Sequence, residues 1–105
     1  MTTIAIQRWS NGLWVSAQNH CQSRDVCNAV STVASVLVQY TEFFKEDNGG
    51  FRVEKATYDS GNVALYVVGV NPKTFEKYMI GANAIIIGFE MLAANFPDEV
   101  QLKIR

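Results

Sequence analysis

The feature that most constrains the fold is a long stripe of apolar residues at helical spacing. Its members recur every three or four residues: Val26, Ala29, Val30, Val33, Leu37, Tyr40 and Phe44. This spacing predicts an amphipathic helix that begins at Asp25 and runs to about Lys45. Because several of its residues are valines, intrinsic helix propensity contributes little, and packing must stabilise the helix. The chain must therefore supply an apolar surface for this helix to cover.

Both ends of this helix carry local signals. Asp25 is predicted as the N-cap, since its carboxylate can accept a hydrogen bond from the N–H of Cys27 or Asn28. The sequence Glu46-Asp47-Asn48-Gly49-Gly50 predicts the end, with glycine available for a left-handed cap.

An antiparallel hairpin is predicted upstream of the helix. Residues Thr2 to Arg8 alternate between apolar and polar types, as in a half-buried strand. Asn11-Gly12 is the preferred pair for a two-residue hairpin loop. Leu13 to Gln18 is then the returning strand.

A second hairpin and a second helix follow. Phe51 to Asp59 and Asn62 to Val70 are predicted strands around a Ser60-Gly61 turn. Asn71-Pro72 predicts the next helix start, with asparagine as the cap and proline at the first helical position. Its apolar face is broad, comprising Phe75, Tyr78, Met79, Ala82, Ile85, Ile86, Phe89, Leu92 and Ala93.

The end of the second helix differs from the first. Residues Ala84 to Ala94 are apolar on nearly all sides, which indicates burial on more than one side or a subunit interface. Phe96-Pro97 ends the helix, and Val100, Leu102 and Ile104 predict a final edge strand.

The element order is therefore ββαββαβ. Helices and strands with one apolar face each need the other for burial, so we expect an α+β two-layer sandwich, with two helices on one mainly antiparallel sheet. The 105 residues, 49% of them hydrophobic, suit a single domain spanning 1–105.

Composition excludes several classes of partner. The net charge of −1, with acids and bases interspersed, gives no basic face for nucleic acid. No apolar run approaches the ~20 residues that span a bilayer, and the N-terminus lacks a signal-peptide pattern. We therefore expect no membrane partner and a cytoplasmic location, where both cysteines are reduced thiols.

Reactive residue types concentrate in one short stretch, 19–31. The only histidine, His20, lies seven residues before Cys27, which falls in the first turn of the predicted helix. Unpaired backbone N–H groups and the helix dipole favour a thiolate there, and an imidazole can take its proton. Asp25 and Ser31 flank this cysteine. The stretch is the candidate site for any chemistry.

These residues resemble the ribosomal-processing cysteine protease family, Prp. That family places a histidine, usually in Gly-His-Ala, after its second strand, and Asp-x-x-Cys-Ala-Ala-Val-Ser at the start of its first helix. Here Cys27-Asn28-Ala29-Val30-Ser31 keeps four residues of the five-residue run. The ending Ala-Asn-Phe-Pro-Asp-Glu-Val is similar to the family's Tyr-Pro-Glu-x-Val. The resemblance extends across nearly the whole chain.

The resemblance implies a cysteine endopeptidase that removes an N-terminal extension from a large-subunit ribosomal protein, acting as a homodimer. By position, Cys27 is the nucleophile, His20 the general base and acid, and Asp25 and Ser31 are supporting residues. Free N–H groups of Cys27 and Asn28 are the expected oxyanion donors. No metal and no organic cofactor is required.

Departures from the family pattern leave alternatives open. Asn19-His20-Cys21 replaces Gly-His-Ala, and the loop between His20 and Cys27 is several residues shorter than in the family. Besides the ribosomal protein precursor, the substrate can be another cleaved protein, and the alternative to a protease is a non-catalytic dimeric binding module that kept the fold.

The same residues also have non-catalytic interpretations. Cys27 can be a small core residue, Asp25 a plain cap, and Ser31 a hydroxyl bonded to the Cys27 carbonyl. A zinc site formed by His20, Cys21, Asp25 and Cys27 is a further alternative, although its spacing fits no standard finger.

Overall fold

The computed structural model describes residues 1–18, 22–59 and 62–105. Seven elements occur in the predicted order. They are β1 (Thr2–Trp9), β2 (Gly12–Gln18), α1 (Arg24–Asp47), β3 (Phe51–Asp59), β4 (Asn62–Gly69), α2 (Pro72–Asn95) and β5 (Val100–Ile104).

The five strands form one mixed sheet in the order β3-β4-β2-β1-β5. Neighbouring strands are antiparallel except for β1 and β5, which are parallel. Both helices pack on one face of this sheet, and the predicted α+β two-layer sandwich is confirmed. The last strand lies at an edge, as its alternating pattern indicated.

The core fills the space between the helix layer and the sheet. Alternate strand positions point into it, so that Ile4 and Ile6 of β1 are buried opposite Ala17 and Val15 of β2. The other buried apolar side chains are Leu13, Val26, Val30, Ala34, Leu37, Phe51, Leu65, Val67, Phe75, Tyr78, Ala82, Ile86, Phe89 and Val100. The helical stripes in the sequence therefore mark the faces that cover the sheet.

The first hairpin turns one residue earlier than predicted. Trp9 pairs with Gly12, so the two-residue loop is Ser10 and Asn11, not Asn11 and Gly12. A Cβ on Gly12 would lie 3.1 Å from the Trp9 ring and 3.3 Å from the Val67 carbonyl oxygen. Glycine is thus needed here for close approach of a ring and a neighbouring strand. The predicted Ser60-Gly61 turn lies outside the described residues.

The glycines after α1 shape the entry into β3. The helix is capped at its C-terminus by Asn48 in extended conformation, so the left-handed residue is not at the cap itself. Gly50 has φ +71°, and its carbonyl accepts hydrogen bonds from the N–H groups of Val70 and Asn71. The positive φ of Gly50, which glycine adopts without strain, orients its carbonyl so that these hydrogen bonds link the start of β3 to the start of α2.

The start of α2 follows the prediction. The Asn71 side chain accepts from the N–H groups of Lys73 and Thr74 at 3.0 and 3.3 Å, with Pro72 at the first helical position. In length and apolar content α2 also resembles a membrane-spanning helix, with a mean hydropathy of 1.3 over 18 residues. That resemblance is weak evidence by itself, because core helices of soluble proteins share it, and one stripe of α2 packs in this core.

A polar network and close aromatic packing join the two helices. The Tyr40 hydroxyl donates to the Tyr78 carbonyl oxygen at 2.8 Å. The Thr41 hydroxyl donates to the Leu37 carbonyl oxygen at 2.7 Å, so the Tyr78 hydroxyl, 2.8 Å away, is the donor to Thr41. Burial raises the pKa of Tyr78 above its ordinary value. The buried phenol is therefore held in its neutral, hydrogen-bonded form.

Candidate functional site

Cys27 lies in the first turn of α1, as predicted, but the N-cap is Ser23 and not Asp25. Ser23 has extended backbone angles, and its hydroxyl accepts from the Val26 N–H at 3.4 Å. Asp25 is already inside the helix and exposed. Both residue types are good caps, so the sequence did not distinguish them locally. The Cys27 side chain is partly buried.

A contact from the other end of the chain selects Ser23 as the cap. The Ser23 N–H donates to Glu99 Oε1 at 2.6 Å, across 76 residues of sequence. Glu99 is itself fixed, because its N–H donates to the Phe96 carbonyl and its carbonyl accepts from the Thr2 N–H. The carboxylate therefore ties the start of α1 to the segment between α2 and β5. A carboxylate is also favoured beside a helix N-terminus.

Glu99 is the residue of this site that sequence reasoning missed. Two hydrogen bonds in series connect it to the cysteine. The Ser23 N–H donates to the Glu99 carboxylate, and the Cys27 N–H donates to the Ser23 carbonyl oxygen. No local pattern marks Glu99. The only signal was its place in the ending that resembles the family's, which carried no assigned role.

The N–H groups of Cys27 and Asn28, the predicted oxyanion donors, stay a prediction that the bonding at this helix start does not favour. The Cys27 N–H donates to the Ser23 carbonyl at 3.0 Å, so it is used within the helix. Asn28 lies one residue further into α1, where intrahelical bonding also occupies the N–H. In a helix capped at Ser23, the groups without intrahelical acceptors belong to the cap and the three residues after it. Of these, Ser23 and Val26 are hydrogen-bonded as described, and within residues 1–18, 22–59 and 62–105 no acceptor is found for the N–H groups of Arg24 and Asp25.

Ser31 follows Cys27 by one helical turn and borders a groove. The Tyr58 hydroxyl of β3 donates to the Ser31 carbonyl oxygen at 3.1 Å and so bridges α1 and β3. Beside this bridge is a cavity of about 370 Å³, lined by Asn28, Ser31, Thr32, Ser35, Val36 and Tyr58. Cys27 is not among the lining residues, but it lies one turn before Ser31, and residues at positions i and i+4 of a helix share a face.

Two of the predicted site residues, His20 and Cys21, lie outside the described residues. The catalytic roles of His20, Cys27, Asp25 and Ser31 stay predictions. The described residues contain no cluster of three His, Cys, Asp or Glu side chains fit to hold a metal. The zinc alternative depends on His20 and Cys21, so this finding does not test it.

Solved structures with the same fold include one from Streptococcus mutans, SMU.848. It aligns with a TM-score of 0.71 and 26% sequence identity, covering 99% of this chain and 93% of that one. No family model and no curated protein sequence matches the chain.

The ribosomal processing protease Prp from S. aureus is a further structural neighbour. Its complex with a covalently linked product peptide aligns with a TM-score of 0.67 and 14% identity, and its complex with a substrate peptide with 0.65 and 15%. Both alignments cover 100% of each chain. The chain therefore shares its fold, over its full length, with a protease that binds peptides.

Proposed function

We propose that this protein is a cysteine endopeptidase acting on a protein or peptide substrate. The observation that carries the proposal is the position of Cys27, in the first turn of a helix whose start is fixed by Glu99 and beside an open groove. Support also comes from the S. aureus protease of the same fold, which is known in complex with a covalently linked product peptide.

The proposed reaction is acyl transfer through the cysteine. The Cys27 sulfur attacks the scissile carbonyl carbon, and His20 takes the thiol proton and delivers it to the leaving amine. Water then hydrolyses the thioester and frees the thiol. Of the helix-start amides, the N–H groups of Arg24 and Asp25 are the ones open to the developing oxyanion. Asp25 and Ser31 support the site, and no metal or organic cofactor takes part.

The proposed substrate is a precursor of a large-subunit ribosomal protein or another protein with a cleavable segment. We place the reaction in the cytoplasm, because the chemistry requires a reduced thiol. Neither nucleic acid nor membrane is a proposed partner.

The proposal includes a homodimer. The outer face of α2 leaves Ile80, Ile87 and Met91 exposed, with Ile80 at 73%. Apolar side chains grouped in this way are typical of a protein contact. Sedimentation of Ile87→Glu measures this, with Ile104→Glu as the control because both side chains are 52% exposed. A dimer that dissociates only in Ile87→Glu supports the contact.

Cleavage of defined peptides tests the catalytic proposal. The substrates are synthetic peptides that span the N-termini of large-subunit ribosomal protein precursors from the same source, with products identified by mass spectrometry. Cys27→Ser and His20→Ala should each lower cleavage by about a thousandfold or more, as loss of a nucleophile or its base does elsewhere. Cys21→Ser is the matched control and should cleave normally.

Two outcomes contradict the proposal. Cleavage that survives Cys27→Ser would assign the activity to another group or a contaminant. Tight peptide binding without any cleavage by the wild-type protein would favour the non-catalytic binding module.

A further inference from the structure

We propose that the groove between α1 and β3 is the substrate-binding cleft, which holds an extended segment of uncharged residues beside the scissile bond. This inference rests on the proposed protease function and adds where the substrate lies and which side chains it presents there. The groove is defined by Asn28, Ser31, Thr32, Ser35, Val36 and Tyr58.

The groove exists because the helix layer stops short of one sheet edge. Two helices, each about 10 Å wide, cover the central strands of the sheet. They leave the second half of β3 uncovered on the helix side. Leu65 and Val67 of β4 are buried under the helices. On the neighbouring strand, Ala56 and Tyr58 face the same side but are exposed, Tyr58 at 51%. A strip beside α1 is therefore open to an additional chain.

The edge of β3 offers backbone partners for that chain. β3 pairs with β4 on one side, and no described strand pairs with its other side. An edge strand presents unpaired N–H and C=O groups, and an extended peptide can add to it as a further strand. Alternate side chains of such a peptide then point toward the helix layer and into the groove.

The lining determines which side chains fit. None of the six lining residues carries a formal charge, and five of them offer hydroxyl or amide groups. A charged substrate side chain would lose water here without gaining an ionic partner from the lining. Small and uncharged polar side chains lose little hydration free energy in this groove and gain hydrogen bonds to its lining. The Tyr58 hydroxyl also links β3 to α1 in this groove through its hydrogen bond to the Ser31 carbonyl oxygen.

The position of Cys27 makes this cleft useful for catalysis. Its side chain lies about 5–6 Å from that of Ser31 along the helix, by the geometry of one turn. A strand added to β3 and seated in the groove would thus pass within reach of the sulfur. The segment in the groove is the part of the substrate on one side of the cut.

Labelling of Cys27 by small and peptidyl alkylating agents tests the inference. The probes are iodoacetamide, a mixture of N-acetylated tetrapeptide chloromethyl ketones with uncharged residues, and a matched mixture with Lys or Glu in the chain. Peptide mass mapping follows Cys27 separately from Cys21. We expect the uncharged peptides to react with Cys27 at least about tenfold faster than the charged ones, after correction for their rates with a free thiol.

Variants separate the groove from the thiol. Ser35→Trp fills the groove and should slow the uncharged peptides by about tenfold, while iodoacetamide labels Cys27 at the wild-type rate. Gln39→Trp is the matched control, because Gln39 is an exposed residue one turn further along α1 and outside the lining. It should leave both rates unchanged. Methylating alternate peptide amides should also slow labelling, since it removes the groups that pair with β3.

The results that overturn this inference differ from those that overturn the protease. If iodoacetamide labels Cys27 but Ser35→Trp slows the peptides no more than Gln39→Trp, or if charged peptides react equally well, the groove is not the cleft. If peptide methylation has no effect, pairing with β3 is wrong. If no reagent labels Cys27 in the native protein, the protease proposal fails, and the cleft fails with it.

Discussion

The two ends of α1 differ in almost every physical respect. Its second half, from Leu37 onward, is part of a dense aromatic cluster. The ring centroid of Tyr78 lies 5.4 Å from that of Tyr40, on which it stacks, and 4.5 Å from that of Phe51. Its first half carries Cys27 and a row of small polar residues beside an open groove. Both halves bury one side on the sheet, but the second half adds an aromatic cluster, whereas the first half has an accessible polar side within the same helix.

The difference shows how a small protein can hold a partly exposed thiol in place without sealing it in the core. The packed end supplies the stability, since aromatic side chains bury large apolar areas and their pairs add to that. The open end buries only the small apolar side chains of Val26, Val30 and Ala34, and its start is held by the hydrogen bond from the Ser23 N–H to Glu99. The groups that we propose to meet a substrate therefore lie where their removal is expected to cost the fold little.

The largest expected effect comes from breaking the packed end. Tyr78→Ala should lower the free energy of unfolding by about 3–5 kcal/mol, because it removes a fully buried ring and leaves a cavity. Cys27→Ala should cost less than about 1 kcal/mol, since the thiol is only partly buried. Urea denaturation followed by circular dichroism measures both.

Tyr78→Phe is the control for this pair. It keeps the ring and removes only the hydrogen bond to Thr41, so the expected loss is about 1 kcal/mol. If Cys27→Ala destabilised the protein as much as Tyr78→Ala, the thiol would be a core residue and the contrast between the two ends would be wrong.

A smaller effect is expected where the helices approach most closely. A Cβ on Gly81 would overlap the Tyr40 ring and hydroxyl, so Gly81→Ala must displace Tyr40 from its bond to the Tyr78 carbonyl. We expect a loss of about 2 kcal/mol from this overpacking, even though alanine favours the helix. Thermal and urea unfolding give the value.

Gly88→Ala is the matched control, one heptad further along α2. Its Cβ would lie 3.2 Å from the two Val33 methyl groups, a contact that small shifts relieve. The change should therefore lie within about 1 kcal/mol of zero, of either sign, because helix propensity offsets the tight contact. Equal losses at both glycines would mean that Tyr40 does not clamp the helices.

The sequence predicted the helices and strands well, because these elements follow from the periodicity of the apolar residues. Both helices, both hairpins and the edge position of the last strand match their apolar patterns, with boundaries within about two residues, as is usual for such signals. The parallel pairing of β5 with β1 and the order of the strands depend on contacts far apart in sequence. No local pattern contains that information.

The site was predicted less well for the same reason. Cys27 was placed correctly in the first turn because the helix stripe locates it. The cap was assigned to Asp25, since the Glu99 contact that selects Ser23 crosses 76 residues. That shift of two residues also means that the Cys27 N–H is bonded to the Ser23 carbonyl within the helix, whereas a cap at Asp25 would have left it without an intrahelical acceptor. The groove was not predicted, because an uncovered sheet edge is a property of the assembled layers.

The smallest effect on stability, and the one that sharpens the contrast most, is expected at Glu99. Glu99→Ala leaves the partly buried Ser23 N–H without its acceptor and should cost about 1 kcal/mol of unfolding free energy. Because Ser23 in turn holds the Cys27 N–H, the start of α1 should loosen, and kcat for peptide cleavage should fall by more than the loss of stability implies. Glu99→Gln retains an acceptor oxygen and should restore most of kcat. Asp98→Ala, at an exposed neighbour, should change neither quantity. A kcat that Glu99→Gln does not restore would mean that the charge matters and not the hydrogen bond.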